Sequence, residues 1–196
     1  MPERAGVSQR KTRETDISVS IKLDGTGKSN ISTRVGFFDH MLESLARHGL
    51  FDLEVSCVGD LHVDSHHTIE DVGIVLGEAL KIALGKKEGI RRFGSCTLPM
   101  DEALVLCALD LSGRPFLAED LCFSGEMMGD MPTQMVREFF YAVAYSAGIN
   151  LHFCQHRGKN DHHLAECCFK AFARALDAAT LPEPRVAGAW STKGVL

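Results

Sequence analysis

The sequence predicts an α+β fold built as two similar halves, each roughly strand, strand, helix, strand, helix, with the helices packed on antiparallel sheets. Three observations carry this expectation. Runs of alternating apolar and polar residues recur at matching places along the chain. Amphipathic runs of helical spacing end on Gly49, Gly85 and Gly148. The last helix of each half opens on the same motif, H-H-x-x-E, as His66-His67-x-x-Glu70 and as His162-His163-x-x-Glu166.

The elements follow in order. "ETDISVSIKL" alternates apolar and polar residues and reads as a half-buried strand, "DGTGKSN" as a turn, and "ISTRV" as a second strand. "FFDHMLESLARHG" carries apolar residues at helical spacing, with Gly49 as its expected C-cap. "FDLEVSCV" is a strand, and "SHHTIEDVGIVLGEALKIALG" a long helix ending at Gly85. The second half starts near "GIRRFGS". "CTLPMDEALVLCALDL" and "RPFLAEDLCF" supply strands, "PTQMVREFFYAVAYSAG" a helix, "INLHFCQ" a strand and "DHHLAECCFKAFARALDAA" the final helix. The expected division is residues 1–90, residues 91–185 and a tail of residues 186–196, the matched order being what an internal duplication leaves.

Composition narrows the function. The chain has 196 residues, 45% hydrophobic and 24% charged, enough for one sizeable core. A formal charge of -5 without a long basic run speaks against nucleic-acid binding. No stretch nears the ~20 apolar residues of a membrane span, and the N-terminus lacks the apolar core of a signal peptide. A soluble, cytoplasmic protein is expected. The seven cysteines are odd in number and form no C-x-x-C, so they read as buried thiols in a reducing compartment.

The paired histidines carry the chemistry. On a helix, His66 and His67 both reach the side of Glu70, yet they diverge by about 100° around the axis. One local chelate would leave one of them idle, whereas two metal sites employ both. Imidazole nitrogen and carboxylate oxygen suit Mn, Fe, Co, Ni or Zn. A lone His-His pair is most often surface or capping decoration; two copies at equivalent places are hard to read so. His40, in "FFDHML", and Glu138, in "MVREFF", open equivalent helices and can add one ligand to each site. His48 reads as a helix C-terminal residue, and His62, His152 and His156 as strand or loop positions.

These residues, with "RKTRETDISVSIKLDGTGKSNIST", "GFFDHMLESLARHG", "DLHVDSHHTIEDVGI", "RFGSCTLPMDEAL", "DLSGRPF", "NDHHLAECCFKAFARAL" and "STKGVL" in order, resemble the imidazoleglycerol-phosphate dehydratase family of histidine biosynthesis. The resemblance implies a duplicated unit like domain 2 of ribosomal protein S5. It also implies a homo-oligomer of 24 subunits with two Mn2+ per active site between subunits, Fe2+, Zn2+, Co2+ or Ni2+ remaining open. It makes His40, His66, His67, Glu70, His162, His163 and Glu166 metal ligands, with Glu138 standing where many members carry His. Ser44 stands where many carry Gln, so a polar contact near the site is expected to differ. The implied reaction dehydrates D-erythro-imidazole-glycerol 3-phosphate to imidazole acetol phosphate through a metal-bound imidazolate and a diazafulvene-like intermediate.

Catalytic candidates on this reading are Glu14, whose family counterpart reaches a neighbouring subunit's site and its substrate, then Glu70 or Glu166 as proton carriers, and Lys170 as a partner of Glu166. Arg92, Arg114, Ser191 and Lys193 match the phosphate ligands. Two other classes compete: a dinuclear hydrolase or oxidase, and a non-catalytic module whose metal only staples subunits.

Overall fold

The expected element order recurs in the computed structural model, which describes residues 3–194 and residue 196. The first half runs β1 (Ala5–Lys11), β2 (Thr15–Lys22), β3 (Ser29–Ser32), α1 (Gly36–Gly49), β4 (Asp52–Gly59) and α2 (His66–Leu84). The second runs β5 (Phe93–Met100), β6 (Ala103–Asp110) and β7 (Phe116–Glu119), then a small hairpin of β8 (Met127–Met128) and β9 (Met131–Pro132). It closes with α3 (Met135–Ala147), β10 (Asn150–Arg157) and α4 (Asp161–Thr180). The main sheets have the orders β1-β2-β4-β3 and β5-β6-β10-β7, the same topology twice.

Three details depart from the sequence reading. Strand β1 was not anticipated. It pairs antiparallel with β2, yet Gly6 is its only fully buried residue, so it shows no apolar alternation to find. Each sheet also carries one parallel pair, β3 with β4 and β7 with β10. A parallel pair needs a crossover connection, and α1 and α3 provide it. Finally, the left-handed residue ending α1 is Leu50, at φ 58°, rather than Gly49. Gly49 answers to packing instead, since a Cβ there would lie 2.3 Å from the Phe51 ring.

The duplication extends to backbone contacts. A Cβ on Gly6 would stand 2.0 Å from Ala79 O of α2, and one on Gly94 would stand 1.9 Å from Ala175 O of α4. Ala79 and Ala175 each lie nine residues beyond their motif's glutamate. In both halves the edge strand thus lies directly on the long helix, and only glycine permits that approach. Gly94→Ala is expected to destabilise the protein by at least ~2 kcal/mol in denaturant unfolding, because a backbone carbonyl cannot swing aside as a side chain can. Unchanged stability would show that the strand can lift off the helix freely.

Packing crosses between the halves. Helix α1 lies on α4, and α2 on α3. Phe139, Phe140, Phe153, Phe169 and Phe172 form an aromatic cluster that joins α3, β10 and α4, with Phe140 centred 4.6 Å from Phe153 and 4.9 Å from Phe169. One continuous core therefore serves both repeats. Cys57, Cys107, Cys167 and Cys168 are buried in it, and burial pushes the Cys57 and Cys167 thiols up to about 11, which keeps them protonated. Cys96 and Cys154 are half-buried, and Cys122 is exposed. Among the described residues, no helix is long and apolar enough to cross a membrane.

Candidate functional site

Both histidine pairs sit in the first turn of a helix whose end is capped by a side chain. Asn160 Oδ1 accepts from His162 N at 3.0 Å and His163 N at 3.4 Å. The equivalent Asp64 Oδ1 accepts from His66 N at 2.8 Å. These caps satisfy first-turn N–H groups and fix the backbone that carries the imidazoles. Next to Glu70, the buried Asp71 pairs with Arg10 of β1 and accepts from Thr15 Oγ1 of β2 at 2.5 Å, which ties the start of α2 to its sheet.

Because α1 lies on α4, His40 of the first half meets the motif of the second. His40, His162 and Glu166 offer donor atoms that all lie within 4.8 Å of one another. Glu166 Oε2 is 3.2 Å from His162 Nε2 and 3.9 Å from His40 Nε2. Its Oε1 accepts from Lys170 Nζ at 2.7 Å. Burial pushes the Glu166 carboxyl up, but the Lys170 hydrogen bond and charge, with His40 and His162, outweigh it and hold the group below its ordinary value. The result is an ionised, buried carboxylate beside two imidazoles, a donor set that fits a first-row divalent metal.

The second histidine of each pair is oriented by a carboxylate. His67 Nδ1 donates to Asp60 Oδ2 at 3.0 Å, and His163 Nδ1 donates to Glu102 Oε2 at 2.8 Å. A carboxylate partner keeps the proton on Nδ1, leaving the Nε2 lone pair for a metal. The Asp60 bond raises the His67 pKa, and the Glu102 bond raises that of His163. His163 in turn draws Glu102 down to about 2. Sequence reasoning missed both carboxylates. Asp60 could have been found by seeking a partner in the polar loop before His67. Glu102 lies 61 residues before His163, where no spacing rule reaches. Glu102→Gln is expected to weaken metal binding about 10–100-fold, as read by chelator competition, because the imidazole loses its orienting acceptor. Unaltered affinity would remove Glu102 from the site.

The first motif is less complete within one chain. His66 Nε2 is 3.5 Å from Oε2 of the half-buried Glu70. Helix α3 lies on α2, which sets Glu138 at the place equivalent to His40. Its Oε1, however, accepts from Arg137 Nη1 at 3.0 Å, and it joins no three-donor cluster among the described residues. Ile74 occupies the position that corresponds to Lys170, so no lysine holds Glu70. Glu14 Oε1 lies 3.9 Å from His67 Nε2 of the same chain. Ser44 Oγ, one turn beyond His40, is buried and makes no hydrogen bond among the described residues. His48 lies in the last turn of α1, as its place in the sequence suggested, and burial and then Lys170 lower its pKa.

A loop joins the two helices of the cluster. Asp130 accepts from Gly36 N at 2.6 Å and Phe37 N at 2.9 Å, capping α1. Ser124 N and Gly125 N donate to Asp161 of α4 at 2.9 and 2.7 Å. The Phe37 ring packs edge-on against His162 at 5.0 Å.

Arg92, Arg114, Ser191 and Lys193 line one cavity of about 720 Å³. Arg92 holds Asp110 through Nε at 2.7 Å and Nη2 at 3.0 Å, and donates from Nη1 to Trp190 O at 2.6 Å. Three of its five N–H donors are thereby engaged. Gly89 N donates to Gly188 O at 2.8 Å, which fastens the chain just before Trp190, Ser191, Thr192 and Lys193 reach the cavity.

The sequence pattern of the family described as imidazoleglycerol-phosphate dehydratase matches residues 33–176. The chain is 62% identical over 187 residues to the Acetivibrio thermocellus protein of that name, covering 95% of this chain and 96% of the relative. It is 54% identical over 197 residues to the Agrobacterium fabrum one, covering 100% of both. A crystal structure of the Staphylococcus aureus dehydratase superposes with TM-score 0.82 at 38% identity, over 91% of this chain and 99% of that one. The Pyrococcus furiosus structure gives 0.83 at 36%, over 96% and 99%. With its duplicated topology and paired-histidine helices, the chain belongs to the imidazoleglycerol-phosphate dehydratase family, a family of hydro-lyase enzymes.

Proposed function

We propose that the protein dehydrates D-erythro-imidazole-glycerol 3-phosphate to imidazole acetol phosphate, in histidine biosynthesis in the cytoplasm, using two divalent metals, manganese foremost. The observation that carries the reading is the His40, His162 and Glu166 cluster, in which both halves of the chain contribute to one metal-competent donor set. His66, His67, Glu70, Glu138 and His163 are the further ligands. A metal bound there supplies Lewis-acid stabilisation of negative charge on the imidazole ring of the substrate.

The chain's own groups do the rest. Lys170 keeps Glu166 ionised and turned toward the histidines. Glu14 is the acid/base that takes up the C–H proton at a carboxylate oxygen, and Glu70, held by no lysine, is the second proton carrier. Arg92, Arg114, Ser191 and Lys193 hold the phosphate, with the 186–196 tail closing their cavity.

Geometry argues that the site is shared between subunits. Lys81 lines the anion cavity near the end of α2, while His66 opens that helix. Fifteen residues of helix separate them by about 22 Å. Likewise Arg92 N bonds Ala179 O near the end of α4, a helix that opens at Asp161. A small substrate cannot touch both ends of one chain's helix, so metal and phosphate groups come from different chains of a homo-oligomer, 24 subunits on this reading. The test is product formation from imidazole-glycerol phosphate by purified, metal-loaded protein, with metal content measured on the same sample. No product from protein holding two metals per chain would overturn the reading.

A further inference from the structure

We propose that Lys87 is a further phosphate-binding residue, a largely buried side chain whose ammonium opens into the cation-lined cavity and engages the phosphate alongside Arg92, Arg114 and Lys193. The identity of the ligand rests on the function proposed above. The case for an anion at this lysine rests on the residue itself.

Lys87 is only 8% exposed, whereas Lys81, Lys86, Arg114 and Lys193 around the same cavity are exposed. Among the described residues, no carboxylate oxygen lies within 4 Å of its Nζ, and no acceptor takes a hydrogen bond from it. Its Nζ stands 3.9 Å from where a Cβ on Gly113 would be, a point that the Leu196 carboxyl carbon approaches to 3.1 Å, so the Leu196 carboxylate lines the same wall without pairing with the lysine. The side chain is largely buried while its Nζ opens to the cavity, and a lysine so held with no ion pair is short of a counter-charge. Its charged neighbours deepen the shortfall. Lys81 and Arg92 repel it, while the nearby Asp110 is already gripped by Arg92. Burial correspondingly pulls its pKa below the ordinary lysine value.

The backbone adds a second oddity. Lys87 has φ +57°, a left-handed conformation that a glycine would adopt at no cost. A left-handed residue that also turns an ammonium with no ion pair into a cavity is best understood as poised for a ligand. The ligand chemistry follows from the surroundings. Lys81, Lys86, Lys87, Arg92, Arg114 and Lys193 outnumber the Arg92-bound Asp110 and the Leu196 carboxylate, an excess that selects a small, multiply charged oxyanion, and a phosphate monoester dianion supplies that charge with acceptors for three ammonium hydrogens.

A competing role is structural. The ammonium could complement the C-terminal carbonyls of α2 through the helix dipole. The two roles predict opposite signs. Lys87→Met keeps the aliphatic stem and removes the charge. On the proposal, the assembled variant binds inorganic phosphate about 10–100-fold more weakly by calorimetry. Its loss in turnover falls mainly on KM, and its melting temperature without phosphate is equal or higher. Lys87→Gln, which keeps a polar end, should likewise lose phosphate affinity. Phosphate affinity equal to that of the parent protein, or a variant that melts lower or fails to assemble, would overturn the proposal. So would a parent protein that does not bind inorganic phosphate. Parent protein that binds phosphate but forms no dehydration product would instead sink the proposed function and leave Lys87 as an anion ligand.

Discussion

Glu166→Gln should lower kcat by about 10²–10⁴ and reduce bound metal, while the protein remains folded. The change is nearly isosteric, so packing in the first turns of α4 is kept. What is lost is charge. Glu166 is buried and meets three partners, His162 and His40 through Oε2 and Lys170 through Oε1. A neutral amide accepts less strongly from the lysine and offers a poorer metal donor. It also leaves the largely buried Lys170 ammonium without its counter-ion. Glu70→Gln is the control from the other repeat. Its side chain is half-buried, less covered than that of Glu166, and has no lysine, so that substitution should disturb stability less. Full activity and metal content in Glu166→Gln would mean that the cluster is only a surface ion-pair network.

Complete metal removal should abolish dehydration, leaving less than about one thousandth of the activity, and re-addition of Mn2+ should restore it. The reaction must remove a non-acidic proton and expel hydroxide. The chain offers histidines, carboxylates and cations, but no side chain able to draw electron density from an imidazole ring as a divalent metal does. Stripping should also lower the melting temperature, since ligands that bind only the folded form stabilise it by mass action. This second readout needs no substrate. Activity that survives stripping, verified by elemental analysis, would defeat the mechanism. A loss of thermal stability without loss of activity would favour metals that staple subunits.

Of the His40, His162 and Glu166 cluster, two members and the motif that holds them were legible before folding was considered. His66, His67, Glu70, His162, His163 and Glu166 declare themselves by spacing, because a helix puts residues three and four apart on one side. Lys170 follows from the same rule, and the structure brings it to Glu166. Asp60 and Glu102 did not declare themselves, for they orient histidines from a loop and from a strand turn. Strand β1 was hidden because its pairing is carried by backbone hydrogen bonds, which leave no mark on the order of side chains.

The sequence by itself determined the duplicated plan, the helices and the residue types suited to metal and phosphate, since periodicity and donor chemistry are local properties. Only the tertiary structure decided that α1 lies on α4 and α2 on α3, so that His40 of one repeat completes the motif of the other. It alone also placed the cavity lined by Arg92, Arg114 and Lys193 at the far end of the helices that begin with the histidines. The reason is physical. Which apolar faces meet is settled by shape and by shared burial in one core, and those contacts join residues far apart in the chain, such as Gly73 with Phe139 and His48 with Arg174.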